Sequence, residues 1–451
     1  MPGGFVCPPG GNRARMRWLA TICPGRSRWS LGVRASISGR VRPLTLRAPP
    51  CCRRTTWIGV ICLALASAAL AIPPRTGALA PLRLDAEFYG VSVPSAYLKQ
   101  SLGSQIAAGE AAWQTATGAG VIVALIDNGV DPFNPALNGA LLGSQGWNFY
   151  DNSANWSAWS ELAPNGQPLG GVLKAIASSG TCPFIQPAPL KANIILNGIT
   201  EPFDSDQDST GEVLALMTRL EKCEPGFGHG TAAAGLIHLV APQAKILPIN
   251  AFGPNGRATP AAIAAAIRYA IARHANVINL SFTSPQRYAV IEAAVAAAQA
   301  HGIVVVTAAG NSATDAPFYP AALPGVLSVG AIDGCGTRAP ASCLADPLLL
   351  RAGFSNYDPP AGILDADVAA PGVRLLTTFP GFGLIWAEST GTSFSAALVS
   401  GEAALLVQLG QSRADIVNEI EGTADPAIPG DADGSLGHGL IQILGALRLA
   451  H

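Results

Sequence analysis

From Val121 onward the chain alternates between two hydrophobic rhythms. Short, continuously apolar runs recur as VIVALI (121–126), AKILPIN (244–250), NVINLSF (276–282) and IVVVTAAG (303–310). Each has strand length and is bounded by turn-forming residues, which predicts a fully buried strand. Between them lie TPAAIAAAIRYAIARHA (259–275) and PQRYAVIEAAVAAAQAHG (285–302), with apolar residues at helical spacing. Thr259 is placed as an N-cap with Pro260 in the first turn, and Gly302 closes the second helix. Buried strands separated by amphipathic helices predict an α/β fold, a parallel sheet covered on both faces. Right-handed crossovers then gather the carboxyl ends of the strands on one edge, where chemistry is to be sought. Asp127, Ser281 and Asn311 all fall at or just beyond such ends.

Two regions break the rhythm. Residues 132–225 are rich in Trp, Pro, Gly and Asn and read as a long insertion, with a helix expected late in it at STGEVLALMTRLEKC (209–223). The other is the N-terminal stretch. Residues 1–71 hold 11 arginines and no acidic residue, so the remainder carries 17 basic against 29 acidic side chains, a net −12 hidden beneath an overall −1. An acidic body argues against a nucleic-acid partner. Arg53 and Arg54 precede WIGVICLALASAALA (57–71), an apolar run ending in small residues. That is the pattern of a secretory signal with cleavage after Ala71, and the run is short for the roughly 20 residues of a membrane span. The expected organisation is a basic arm (1–56), disordered or upstream of the true start, and the signal's apolar region and cleavage site (57–71). A short pro or linker segment (72–104) follows, and then one domain (105–450) carrying the 132–225 insertion. The expected location is secreted, or extracytoplasmic, with no stable membrane partner once the signal is removed. Of nine cysteines, Cys182, Cys223, Cys335 and Cys343 survive that cleavage. An even count outside the cell implies two disulfides with three possible pairings, and the absence of CxxC spacing argues against a zinc site.

The chain is 49% hydrophobic and only 13% charged, so polar groups on apolar ground draw notice. Asp127 ends an apolar strand, His229 stands between glycines in GFGHGTAAAGLIH (226–238), and Ser393 opens a small-residue helix in STGTSFSAALVSG (389–401). A serine hydroxyl is a poor nucleophile until an imidazole takes its proton, and a buried carboxylate fixes the imidazole's tautomer. Free N–H groups at a helix start can hold an oxyanion, and Asn311, in TAAGNS, is a suitable second donor.

With those residues in view the chain resembles the subtilisin-like serine protease (subtilase) family. VALIDNGVDP, GHGTAAAG, AAGNS and GTSFSAA are similar to its aspartate, histidine, oxyanion-asparagine and serine motifs, in its order Asp, His, Ser. The connectors VAPQAKILPI, NVINLSF, FYPAALPGVLSVGA, FSNYD, VAAPG and GHGLIQILGAL match as well, so the resemblance covers about residues 105 to 450. It implies a three-layer α/β/α fold with a mainly parallel sheet and a secreted serine endopeptidase acting through an acyl-enzyme. Asp127 would orient His229, the general base and then acid; Ser393 would attack; Asn311 and the Ser393 N–H would hold the oxyanion. It also implies that Leu280, Ser281 and Phe282 pair with substrate backbone, and that Ala308, Ala309 and Gly310 form another wall of the pocket. Partners are then protein or peptide substrates, the chain a monomer, with no cofactor and no metal.

Departures qualify the implication. Phe394, Ser395 and Ala397 stand where many members have Met, Ala and Pro, and Thr283 where many have Gly. No calcium loop separates GLIHLV from APQAKIL, and DSDQDSTGE (204–212) lacks EF-hand spacing, so it reads as a surface acidic loop. Residues 72–104 are too few for a folded inhibitory propeptide: either the enzyme folds unaided, or EFYGVSVPSAYLKQ (87–100) acts in its place. The insertion emerges on the active edge, either as a lid or substrate wall, or as a surface loop stapled by Cys182 and Cys223. The alternative function is a catalytically inactive subtilase-fold binding protein, against which the complete set of four site residues argues. An acid peptidase with a carboxylate base is opposed by His229 and Asn311, and a metalloprotease by the lack of HExxH. A histidine base further implies kcat/KM that rises through the ordinary imidazole range to a neutral-to-alkaline plateau.

Overall fold

The computed structural model describes residues 84–100, 110–159, 194–196, 199–204, 226–253, 256–333, 350–358, 366–381, 385–426 and 435–450, all within a unit spanning Ala69–His451. Within a separate unit, Met1–Ala68, it describes only an antiparallel pair of two-residue strands, Ser36–Ile37 and Arg40–Val41. The basic arm otherwise, the apolar run 57–71, the expected helix at 209–223 and all four cysteines lie outside the described residues.

In chain order the main elements are β1 (Ile122–Asp127), α1 (His229–Val240), β2 (Lys245–Asn250), α2 (Pro260–Ala272), β3 (Val277–Leu280), α3 (Ala289–Ala300) and β4 (Val304–Ala308). They continue with β5 (Leu327–Asp333), β6 (Val368–Pro371), β7 (Leu375–Phe379), β8 (Ile385–Thr390), α4 (Thr392–Gln408), α5 (Arg413–Thr423) and α6 (Ile443–Leu449). The central sheet runs β5–β4–β3–β1–β2, extended by Trp147–Asn148 beyond β2 and by β6 beside β5. Its pairings are parallel except for Leu350–Arg351, which lies antiparallel to the end of β5. This is the expected mainly parallel sheet.

The two faces of each strand feed two separate cores, as a period of two requires. Val123 and Leu125 of β1, Val277 of β3 and Val304 and Val306 of β4 pack with α1, α4, α5 and α6. Ala124 and Ile126, Ile278 and Leu280, and Val305 pack with α2 and α3. Three layers result. The helices end where the chain signals it: Thr259 Oγ1 accepts the Ala262 N–H at 3.1 Å with Pro260 in the first turn, and Gly302, at φ 76°, follows the last turn of α3. Helix α1 is buried along its whole length, and α4 from Thr392 to Leu406. That explains why neither shows a polar face in the sequence.

Two stretches expected to be peripheral are built into the fold. In the described part of 72–104, Phe88, Val93 and Tyr97 are core residues. Tyr97 Oη donates to the Gly235 carbonyl at 2.5 Å, its ring lies 4.8 Å from that of Trp386, and Gln100 exchanges two hydrogen bonds with the Leu376 backbone. This segment is therefore packed against α1, β7 and β8. The first part of 132–225 is likewise integral: Trp147–Asn148 extends the sheet, and Ala136 and Leu137 are in the core. Further along, Ile194–Leu196 pairs with both Arg257–Ala258 and Phe282–Thr283, and Ile199–Asp204 pairs with β8. Among the described residues no helix is long and apolar enough to cross a membrane.

Glu402, in α4, is fully buried, and neither carboxylate oxygen has a hydrogen-bond partner among the described residues. Burial pushes its carboxyl up from 4.5 to about 8. A raised acid binds its proton in the folded state where the unfolded chain has released it. The stability linked to that proton is complete below the unfolded value and is lost as pH rises through about 8. Glu402→Gln keeps the shape without the charge. Its advantage in thermal stability is expected to be small in mild acid and to grow through neutrality to on the order of a few kcal/mol in mild alkali; an advantage independent of pH would contradict this.

Candidate active site

Asp127 is the last residue of β1 and His229 the first of α1, and both are buried. His229 Nδ1 lies 2.9 Å from each Asp127 carboxylate oxygen, and Asp127 Oδ1 also accepts the Asn128 N–H at 2.8 Å. A carboxylate accepts only, so Nδ1 carries the proton and Nε2 presents its lone pair. That Nε2 is buried and has no hydrogen-bond partner among the described residues, the arrangement of a base waiting for a donor.

The glycines around His229 explain how the pair is brought together. A Cβ on Gly230 would stand 2.2 Å from the Gly129 carbonyl oxygen and 3.1 Å from Asp127. Gly228 has φ 85° and would press a Cβ to 2.2 Å from the Phe379 ring. Helix α1 can therefore start this close to the turn after β1 only without side chains at both flanks. Asn128 ties the two segments further: its Nδ2 donates to the Gly226 carbonyl at 2.6 Å, and its Oδ1 accepts the Gly230 N–H at 3.1 Å. The Asp131 N–H adds a bond to Thr231 Oγ1 at 2.9 Å. Asp131 is itself buried. Burial raises its carboxyl above the usual range, against donation from the Phe133 N–H, the Trp159 indole and the Gly381 N–H.

Ser393 is the second residue of α4, preceded by Gly391 at φ 151°. Its Oγ donates to the Ser281 carbonyl at 3.0 Å, while Ser281 Oγ lies 3.0 Å from the Ser393 carbonyl and 2.8 Å from Asn279 Oδ1. Asn279 Nδ2 in turn donates to Ser400 Oγ at 2.9 Å. The nucleophile candidate is thus held by a polar line running from β3 into its own helix. The next residue, Phe394, sets its ring 5.1 Å from the His229 imidazole, which joins the Ser393 turn to the Asp127–His229 pair.

Asn311 follows β4, and its Oδ1 accepts both the N–H and the Oγ1–H of Thr392, at 3.0 and 2.8 Å. The side chain is thereby oriented, and no acceptor for its NH₂ is found among the described residues. Gly310 is pinned by Thr392 Oγ1 through its N–H at 3.2 Å and by Asn356, whose N–H donates to its carbonyl at 2.9 Å. Of the expected substrate-pocket residues, Leu280, Ser281, Phe282, Ala308 and Ala309 are all buried. Sequence reading missed Asn128, Asn279, Thr392 and Asn356, whose work is to position others. Each had a bland local account, as a turn residue, a strand polar residue or a helix-start threonine, and its partner lies far away in sequence.

These elements match known proteins. A model of the subtilase family matches residues 118–439. Over 212 residues the chain is 34% identical to Subtilisin BL of Lederbergia lenta, spanning 45% of this chain and 71% of that protein. It is 28% identical over 324 residues to Thermitase of Thermoactinomyces vulgaris, 70% of this chain and 84% of the relative. Among solved structures, fervidolysin from Fervidobacterium pennivorans, a keratinolytic enzyme related to subtilisin, aligns with a TM-score of 0.54 at 24% identity. That alignment covers 80% of this chain but 48% of fervidolysin. At such identity the likeness is one of fold.

Asn128→Ala removes the two bonds that hold α1 against the turn after β1 and leaves the Gly230 N–H without its acceptor. The variant is expected to fold with stability lowered by about 1–3 kcal/mol and to lose roughly tenfold to a hundredfold in kcat from displacement of the imidazole. KM should change little; a variant that loses stability alone would make Asn128 a structural residue only.

Proposed function

The chain belongs to the subtilase family and is a serine-type endopeptidase, and from that premise we propose that Asp127, His229 and Ser393 are its catalytic triad. The observation that carries the reading is the buried Asp127–His229 bond, which leaves Nε2, without a partner among the described residues, beside the turn that bears Ser393. The reaction requires Ser393 Oγ to leave the Ser281 carbonyl for that nitrogen. His229 then accepts the hydroxyl proton as Oγ bonds to the scissile carbonyl carbon, and Asp127 stabilises the imidazolium. The Asn311 NH₂ and the Ser393 N–H, in the first turn of α4, receive the negative charge that develops on the carbonyl oxygen. On collapse His229 gives its proton to the leaving amine. Water, deprotonated by the same nitrogen, then releases the acyl group.

The substrates proposed are proteins or peptides bound as an added strand along Leu280, Ser281 and Phe282, with Ala308, Ala309 and Gly310 as the facing wall. The position of these residues next to Ser393 and Asn311 supports that reading. The enzyme is further proposed to be secreted as a monomer, in keeping with the signal-like residues 57–71. All of its chemistry is supplied by side chains and backbone N–H groups.

The test is intact-mass spectrometry of the purified chain after treatment with a fluorophosphonate, beside Ser393→Ala. One adduct in the wild type and none in the variant is the expected result; labelling that survives Ser393→Ala would place the nucleophile elsewhere. Asn311→Ala is expected to keep fluorophosphonate labelling measurable while kcat falls about 10²–10³-fold, the loss measured for the corresponding asparagine of subtilisin itself.

A further inference from the structure

A strand edge beside a nucleophile is where a peptide substrate must lie, held by backbone hydrogen bonds on one or both sides. In this chain the edge is occupied. Ile194–Leu196 is the middle strand of a three-stranded sheet, antiparallel to Phe282–Thr283 on one side and to Arg257–Ala258 on the other. Leu196 stands opposite Phe282, the neighbour of Ser281, and the Ser281 carbonyl is the one that Ser393 Oγ contacts at 3.0 Å. Ile194, only 1% exposed, belongs to the core cluster of Phe282, Ile291 and Leu323 and lines a recess with Ser284, Gln286, Tyr288 and Tyr319.

The chain is next paired with the strand that leads to the serine. Ile199–Asp204 runs antiparallel to β8, with Ile199 opposite Thr390, three residues before Ser393. Leu196 and Ile199 are three peptide links apart, a span of at most about 11 Å. The chain is therefore anchored twice near the proposed nucleophile, by residues 194–196 on the strand just after Ser281 and by residues 199–204 on the strand that leads to Ser393.

We propose that the strands 194–196 and 199–204 are a tethered, substrate-like occupant of the peptide cleft, so that the enzyme is inhibited by its own insertion. The inference rests on the triad reading above and deepens it. It also assigns the regulatory role to the connection between the Asp127 and His229 motifs. The N-terminal residues 87–100 pack instead against α1, β7 and β8.

A segment tethered at roughly millimolar effective concentration competes with every free peptide, and releasing it strengthens outside binding by about tenfold or more. The probe is a fluorescent synthetic peptide with the sequence of residues 193–202, NIILNGITEP. It is titrated by anisotropy against the full chain carrying Ser393→Ala, which cannot cut itself, with and without Ile194→Asp. The added carboxylate expels the segment from its apolar recess, and Ile195→Pro serves as a second variant that breaks the ladder and leaves the recess untouched. Tighter peptide binding by about tenfold or more in both variants is expected. With Ser393 present, the same changes should lower KM for a casein substrate while kcat per fluorophosphonate-labelled site stays unchanged. Equal peptide affinity with and without the changes overturns the proposal, as does failure of the released cleft to bind the peptide. A wild-type chain that labels fully and has the same KM as the variants refutes self-inhibition and leaves the protease reading intact. Absence of label in the wild type and in both variants refutes the protease reading, and this inference with it.

Discussion

The structure depends on a backbone approach closer than any side chain would allow. The start of α1 comes against the turn after β1, with the space for a Gly230 Cβ already filled by the Gly129 carbonyl oxygen. This contact sets the His229 Nδ1 to Asp127 distance, and with it the direction in which Nε2 faces. Asn128 and Thr231 then lock the approach with bonds in both directions across it. Glycine gives up local order at such positions, and the surrounding burial offsets that cost. Helix α1 is buried at every residue, and Thr377 and Thr378 donate to its Ala232 and Thr231 carbonyls at 2.7 and 2.8 Å.

The serine is held by a second, independent device. Helix α4 has its first turn bonded to β3 through Ser281 and to the loop after β4 through Asn311. Its position is thus referred to two adjacent strands of one parallel sheet. Precision of this kind is available where strand ends lie side by side, since neighbouring strands have a fixed spacing of about 4.8 Å. The aspartate comes from β1, the neighbour of β3. Three consecutive strands, β1, β3 and β4, therefore supply or anchor the carboxylate, the serine's bracket and the asparagine. The histidine, like the serine, comes from a helix start, but its helix is referred to the turn after β1, and this is why it needs the glycine contact.

Much of this was legible in the sequence for a physical reason. Buried strands and helices carry their periodicity locally, so VIVALI, NVINLSF and the Thr259-capped helix could be read from a few residues each. The motif residues were legible because a polar group set on apolar ground costs free energy unless a partner or a reaction engages it. In the sequence the glycines beside His229 mark only bare, apolar ground, whereas the structure uses them to seat α1 against Gly129 and Phe379. What a missing side chain makes room for is a fact about a distant neighbour, which local pattern does not encode. The same holds for residues 84–100 and 133–159. They lack long apolar runs and so read as linker and insertion, yet Tyr97, Gln100 and Trp147 fix them through contacts more than 100 positions away. Asn128 and Thr392 escaped notice likewise, since their partners are brought close only by the folded chain.

Occupation of the cleft by residues 194–196 and 199–204 follows the logic of the sheet edge. An exposed strand edge is a template for any extended backbone, because the ladder it offers is made by main-chain groups common to all sequences. An enzyme that binds substrate in this way cannot tell foreign backbone from its own by hydrogen bonding alone. Proximity then decides the competition. The connection from β1 to α1 leaves the sheet at the carboxyl edge and returns to it at His229, so any lengthening of that connection adds chain where the open strand lies. Chain delivered from there pairs with Phe282–Thr283 and Arg257–Ala258 through residues 194–196, and with β8 through residues 199–204. Lengthening this loop is thus the topologically shortest way for the fold to cover its own edge. A cover made of the same backbone that the enzyme cuts is then open to displacement by other peptides.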